Sequence, residues 1–256
     1  MTKGYSAKIG FLVRLALVLL RTRGVVVMCF SSQASFIAGA ALVTCSGLTI
    51  RLALQKGCRY LPLASFPLFF GVQQFSEGFL WVSISNSGTS GSLEAALIFL
   101  FFAYFFWPFW VPLSVSLIEL ERRRKLIFQG ICGIGFSLGA LLYLPVFVSP
   151  ESLEIKLVKH SIQYENAQMF PTEATKYIAR LIYSLVICIP LIGSSDKRLR
   201  RFGYLIVISV AFGFFFAAHA FTSIWCFIAA VLSAYIYFVL HNLTSETRGL
   251  VDSAKS

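Results

Sequence analysis

The sequence has little charge for its length: 13% of its 256 residues are charged, against roughly 25% in an ordinary soluble domain. Acidic residues number only 11, and there are only three histidines. Hydrophobic residues make up 57% of the chain. So little charge with so many hydrophobic residues excludes a water-soluble globule. We therefore expect one polytopic membrane domain with short connections.

Cysteine spacing and the distribution of positive charge exclude two further classes. The six cysteines include no CxxC pair, so neither a zinc ribbon nor a disulfide framework is expected. The net charge of +11 lies in short basic clusters between apolar runs, which does not suit a nucleic-acid backbone. The expected partners are membrane lipids and a small-molecule or lipid ligand, with no nucleic acid.

Seven long apolar runs are separated by turn residues or basic clusters. Because these runs are continuous rather than alternating, and open sheet edges cannot face lipid, each is predicted as a transmembrane helix. The predicted fold class is therefore an all-α polytopic helical bundle with seven transmembrane helices. The predicted spans are 34–54, 61–85, 93–118, 126–148, 174–193, 202–221 and 224–241.

The basic residues between the spans predict the orientation of the bundle. They concentrate in the segments 51–59, 122–125 and 197–201, and all three connections fall on the same side of the membrane. By the positive-inside rule that side is the cytoplasm. The N-terminus of the bundle is therefore predicted outside, and the C-terminus inside.

Residues 1–27 do not fit this scheme. A helix through them would bury Arg14, Arg21 and Arg23, at roughly 2.5–3.5 kcal/mol each near the bilayer centre. We predict that 1–27 is an upstream extension or dispensable leader before Met28. The remaining chain divides into a transmembrane domain, 28–241, and a short cytoplasmic tail, 242–256.

Several motifs resemble a family of bacterial multi-span membrane proteins of unknown function. The run from Met28 to Phe36 is similar to the family's opening M-C-F-S-x-x-A-S-F. The other similar positions are 73–78 with Trp81, Trp107-Pro108, His160 with Tyr164, and His219 with Ser223 and 225–227. The resemblance implies a bacterial inner-membrane, multi-pass protein and supplies no established activity.

Glu77 is the only acidic residue well inside a predicted span. A carboxylate is costly in lipid, so we expect it to face the bundle and to have a partner. Arg180 lies at a similar predicted depth and is the candidate partner. The pair could serve helix packing alone, or Glu77 could anchor a ligand site and be the candidate catalytic residue.

Two histidines and one cysteine are predicted near the outer end of Glu77. His160 lies in the outer loop, His219 ends the sixth span, and Cys29 precedes the first. Imidazole, thiolate and carboxylate groups together suit zinc or another divalent metal. Against this, His160 could be a solvated loop residue, His219 an interfacial residue, and Cys29 a packed thiol.

The remaining candidate ligand-binding residues are Gln74, Tyr104, Trp107 and Ser223. Tyr104 and Trp107 stand in an aromatic run that could line a cavity or simply face lipid; each carries one polar atom that needs a partner. Ser223 could belong to the site, although Thr222-Ser223 also suits a helix N-cap.

Four glycines in the fourth span predict a close helix contact. Small residues let two backbones approach each other inside a membrane. The glycines are Gly130, Gly133, Gly135 and Gly139.

Three functions remain open at this point. The first is a membrane protein that binds a metal or small ligand through a polar site in the outer half of the bundle. The second is a metal-dependent hydrolase resembling the alkaline ceramidase-like superfamily, although the paired histidines and membrane aspartate of those enzymes are missing, as is a G-x-S-x-G motif. The third is a transporter or a non-catalytic scaffold.

Overall fold

The computed structural model describes residues 31–87, 93–158, 161–166, 170, 172–216 and 220–242. Over these ranges the chain is mostly helical and has seven long helices, which confirms a helical bundle with that number of helices. The helices are α1 (Ser32–Leu54), α2 (Phe66–Ser87), α3 (Leu93–Ile118), α4 (Arg122–Val148), α5 (Glu173–Gly193), α6 (Lys197–Phe216) and α7 (Phe221–Asn242).

Five helices, namely α1, α3, α4, α5 and α7, are long and apolar enough to cross a membrane. The other two carry more polarity. The apolar sequence of α2 contains two glutamines and a glutamate, and four basic residues lie in the first turns of α6. Both still pack into the bundle: α2 lies along α1 and also contacts α7, while α6 contacts α5 and α7.

Helix α2 begins later than the predicted span. A 3₁₀ turn at Cys58–Tyr60 and a single helical turn at Leu61–Ala64 come first, and α2 starts at Phe66. Pro67 explains the break, because proline lacks a backbone N–H and is best tolerated in the first turn of a helix. The connection from α1 also uses Gly57 at φ 122°, a conformation that favours glycine.

Helix α3 is not a regular α-helix. Its middle, Phe101–Phe106, is π-helical, and the Trp107 N–H reaches back to the Phe102 carbonyl. In the same pattern a backbone N–H at position 108 would donate to the Ala103 carbonyl, but Pro108 has no N–H. The Tyr183 hydroxyl of α5 donates to the Ala103 carbonyl instead, at 2.5 Å. The freed carbonyl thus ties α3 to α5.

Helices α3 and α4 approach each other at two glycines. A Cβ on Gly135 would lie 1.9 Å from the Pro108 carbonyl oxygen, and one on Gly139 would lie 2.8 Å from the Phe105 Cα. Gly130 and Gly133 are exposed, with nothing within 4 Å of such a Cβ. The predicted four-glycine contact face is therefore wrong for these two, because they lie on another side of the helix from Gly135 and Gly139.

The predicted outer loop contains a β-hairpin, with β1 at Glu154–Val158 pairing antiparallel with β2 at Ser161–Glu165. Ile162 is fully buried against Leu80 of α2 and Ala96 of α3. The hairpin is thus docked on the ends of the helices.

At the opposite end of α3, Glu119 joins two connections. Its carboxylate accepts hydrogen bonds from the N–H groups of Leu120 (3.0 Å), Glu121 (3.1 Å) and Ser195 (2.9 Å). Glu119 is 5% exposed. Nearby, the Arg124 guanidinium donates to the Gly193 carbonyl at 2.8 Å. These hydrogen bonds join the α3–α4 connection to the α5–α6 connection. They therefore keep the two basic clusters that follow these connections, both predicted to be cytoplasmic, at the same end of the bundle.

Candidate functional site

The Glu77 carboxylate points into the bundle. Its side chain is 2% exposed. It accepts a hydrogen bond from the Ser223 hydroxyl of α7 and one from the Gln74 amide nitrogen at 3.5 Å. Gln74 is fully buried on the same helix. Glu77, Gln74 and Ser223, three of the predicted site residues, therefore form one contact cluster between α2 and α7.

Arg180 does not pair with Glu77: among the described residues, no ion pair joins them. The Arg180 guanidinium lies 5.1 Å from the centre of the Phe221 ring and 5.7 Å from that of Tyr177. Tyr177 precedes Arg180 on α5 and Phe221 begins α7, whereas Glu77 is bonded to Ser223 in the first turn of α7. Similar depth in two helices did not bring the side chains together.

Ser223 does not cap α7. The helix begins at Phe221, three residues earlier than a cap at Ser223 requires, and its N-cap residue Ala220 makes no side-chain capping bond. Ser223 therefore lies inside the first turn, where its hydroxyl faces α2. The alternative that placed Ser223 in the polar site matches this geometry.

A second polar contact joins α2 to α3. The Trp107 indole N–H donates to the Gln73 side-chain oxygen at 2.7 Å. Phe70 stacks on the Trp107 ring, with centroids 3.8 Å apart. Trp107 is therefore a buried link between helices and not a lipid-facing residue. Gln73 was not among the predicted site residues, although two adjacent glutamines in an apolar helix were a signal for it.

Three buried polar atoms have no hydrogen-bond partner within the part of the chain that the structure describes. They are the Gln73 amide nitrogen, the Gln74 amide oxygen and the Tyr164 hydroxyl. Leaving such a group unpaired costs about 1–3 kcal/mol. Tyr164 comes from β2 and stacks on Phe99 of α3, with ring centroids 5.2 Å apart. The hairpin thus delivers a phenol into the interior of the bundle.

A cavity opens between the hairpin and helices α3, α4, α5 and α7. Its volume is about 60 Å³, enough for a few water molecules. Tyr104 lies in its wall beside Thr222 and Arg180. The polar wall residues are Tyr104, Tyr164, Lys176, Arg180, Thr222 and Cys226, and the apolar ones include Leu142, Phe170, Tyr183, Phe221 and Trp225.

Cys226 connects the cavity to the Glu77 cluster. It follows Ser223 by three residues on α7, so the two lie on one side of that helix. It lines the cavity and lies beside Gln73, within electrostatic reach of Glu77. Lys176, Thr222 and Cys226 were not predicted as site residues, because their roles depend on how α5 and α7 are rotated.

The metal prediction falls largely outside the described residues, which do not include His160, His219 and Cys29. Of the predicted metal ligands, only Glu77 is described. Within the described ranges, no group of three His, Cys, Asp or Glu side chains could hold a metal ion. The arrangement that the structure shows is a cavity with hydroxyl, thiol and cationic groups.

The bundle of apolar helices with this cavity belongs to the class of multi-pass membrane proteins. The sequence matches the family of unknown function DUF6629 over residues 28–249, and the chain belongs to that family. No curated protein and no solved structure matches the chain.

Proposed function

We propose that this is an integral inner-membrane protein that binds a small ligand in the cavity between the hairpin and helices α3, α4, α5 and α7. The observation that carries the proposal is the meeting of polar side chains from separate elements inside an apolar bundle. Tyr104 comes from α3, Tyr164 from β2, Arg180 from α5 and Thr222 from α7. Polar and ionisable residues at such depth are costly in a membrane protein and mark sites of function.

The unpaired Tyr164 hydroxyl supports binding over a pure scaffold, because Tyr164 lines the cavity. A structure that served packing alone could use phenylalanine at this position without any loss of hydrogen bonds. A bound molecule or bound water would supply the missing partner. A scaffold remains the competing function.

A hydrolase has one observation in its favour, the hydrogen bond from the Ser223 hydroxyl to the Glu77 carboxylate. That is the contact by which a base activates a nucleophile. Neither residue lines the cavity, however, so a substrate bound there would lie against Cys226 and Thr222. Binding without hydrolysis is therefore the function that the geometry favours.

Zinc or another divalent metal at Cys29, His160, His219 and Glu77 remains a prediction from the sequence. Elemental analysis of the purified protein tests it, since a resident ion would be present near one equivalent per chain.

Filling the cavity should expel the ligand. Ala179 lies in its wall on α5, so Ala179→Phe places a ring in the space while leaving the polar residues in place. We expect native mass spectrometry to show a bound molecule on the wild type and at least a tenfold smaller bound fraction on Ala179→Phe.

The matched control is Ala174→Phe, because Ala174 is exposed on the same helix and does not line the cavity. This variant should retain the bound molecule. A wild type that carries no ligand, or an Ala179→Phe protein that keeps it, contradicts binding in the cavity and favours the scaffold.

We further propose that α1 enters from the outside and that the C-terminal tail lies in the cytoplasm. The basic clusters that Glu119 holds at one end of the bundle support this orientation. An alkaline phosphatase fused after Ser256 should be inactive in a bacterial host, and a fluorescent protein fused there should fold and fluoresce. Phosphatase activity at this position would reverse the orientation.

A further inference from the structure

We infer that the ligand of this cavity is an anionic amphiphile, with a carboxylate or phosphate group held by Lys176 and Arg180 and an apolar chain directed towards Trp225. This inference rests on the proposed binding function and deepens it. Four observations carry it: the charge of the wall, its hydrogen-bond donors, a neighbouring apolar cavity and the placement of the nearby carboxylates.

The wall of the cavity carries two positive charges. Lys176 and Arg180 are four residues apart on α5, so they lie on one face of the helix, and both line the cavity. None of the described wall residues is acidic. Two cations of one helix on the same small space produce a positive potential that an anion would neutralise.

The acidic residues nearest to these cations offset only part of that charge. Glu173 pairs with Lys176 at 2.7 Å; the Glu173 side chain is 72% exposed and that of Lys176 is 19% exposed. Glu77 is bonded to Ser223 and Gln74 and lies within electrostatic reach of the wall residues Cys226 and Tyr164. Neither carboxylate lines the cavity.

The other polar wall groups are suited to an anion. The Tyr164 hydroxyl can donate and has no partner among the described residues. The hydroxyls of Tyr104 and Thr222 are hydrogen-bonded to each other, which leaves one of the two protons to donate to a ligand. Hydrogen bonds to a charged acceptor are stronger than neutral ones. The planar guanidinium of Arg180 matches the two oxygens of a carboxylate or phosphate.

A second, apolar cavity beside the first can receive the apolar part of the ligand. Its volume is about 30 Å³, and it shares Tyr183, Trp225 and Cys226 with the first cavity. The rest of its wall is entirely apolar: Phe66, Phe70, Trp107, Val111, Ile187, Leu191, Phe202, Ile206 and Ala229. A cationic space beside an apolar one suits an anionic head with an apolar group next to it; at about 30 Å³ the apolar cavity takes only the first few atoms of a hydrocarbon chain.

The experiment measures binding of single-chain probes to the full-length protein in nanodiscs of zwitterionic lipid. The probes share a twelve-carbon chain and differ in head group: dodecanoate, dodecyl phosphate, dodecanol and dodecylamine. We expect dodecanoate or dodecyl phosphate to bind at least tenfold more tightly than the neutral and cationic probes; the comparison of the two anions identifies the head group. Acetate and inorganic phosphate test the need for a chain and should bind at least tenfold more weakly.

The variants are Lys176→Gln, Arg180→Gln and Arg180→Lys. Each of the first two should weaken binding of the anionic probe about tenfold and leave dodecanol unchanged, while Arg180→Lys should retain part of the affinity. Lys156→Gln is the control, because it removes a positive charge from the exposed hairpin outside the cavity. If Arg180→Gln fails to fold, Lys176→Gln and Arg180→Lys still test the assignment.

Two outcomes overturn the inference without touching the proposed function. One is dodecanol or dodecylamine binding as tightly as the anions. The other is anion binding that keeps its full wild-type affinity in both Lys176→Gln and Arg180→Lys while Ala179→Phe abolishes it. If none of the probes binds, although Ala179→Phe still removes a molecule carried by the wild type, the ligand is not an anionic amphiphile, and ligand binding in the cavity is still supported. If Ala179→Phe removes nothing and none of the probes binds, both proposals fail.

Discussion

Gly135→Ala is expected to destabilise the bundle by at least about 3 kcal/mol, at the upper end of what overpacked cores lose. The added Cβ would lie 1.9 Å from the Pro108 carbonyl oxygen, so the two backbones must separate. Pro112 is part of the cause, because it lacks the N–H that would otherwise engage that carbonyl. Thermal unfolding of the purified protein measures the loss.

Gly133→Ala is the control within the same helix. A Cβ at Gly133 meets nothing within 4 Å, and alanine is about 1 kcal/mol better than glycine inside a helix. This variant should match or exceed the wild type in stability. Equal effects of the two substitutions would show that α3 and α4 do not touch at Gly135.

Glu119→Ala is expected to cost about 3 kcal/mol. Three backbone N–H groups lose a charged acceptor, and each such bond is worth roughly 1.5–3 kcal/mol, with incomplete additivity. Glu121→Ala is the comparison two residues away, since its ion pair with Arg124 is largely exposed and should be worth under about 1 kcal/mol. The free energy of unfolding of both variants should be measured at pH 7. Equal losses in the two variants would show that Glu119 does not join the two connections.

The contribution of Glu119 to the free energy of unfolding should also depend on pH. Burial acts to raise the pKa of Glu119, but the hydrogen bonds from Ser195, Glu121 and Leu120 outweigh it and lower the pKa below its ordinary value of 4.5. A lowered pKa in the folded state gives stability that is present above pH 4.5 and is lost as the pH falls through the folded value. The stability difference between wild type and Glu119→Ala should therefore shrink in acid; a constant difference from pH 7 to pH 3 would contradict this role of Glu119.

The number of helices follows from hydropathy, because each apolar run is long enough to form a helix, although five of the seven described helices are apolar enough to cross a membrane. Helix ends and the segment between α4 and α5 were less predictable. Helix α2 begins only at Phe66, next to Pro67, and α7 begins at Phe221. The segment Glu154–Val158, which was predicted as part of a loop, forms a β-strand. These features depend on local hydrogen bonding, which composition does not encode.

The site was predicted in part. Glu77 stood out because an acidic residue in an apolar span is rare, and its contact with Ser223 follows from two of the residues singled out. Arg180 was expected to reach Glu77 from depth alone, but depth does not fix the rotation of a helix about its axis. Rotation decides that Arg180 faces Tyr104 and that Cys226, not Arg180, lies next to the Glu77 cluster.

The π-helical turn in α3 has a mechanical consequence. In a regular α-helix, residues three apart such as Tyr104 and Trp107 lie on one face. The wider turn at Phe101–Phe106 lets Tyr104 line the cavity while Trp107 reaches Gln73 on α2. A change of pitch in this one turn would move both side chains at once. The wall of the cavity and the contact between α2 and α3 thus share one six-residue stretch of backbone.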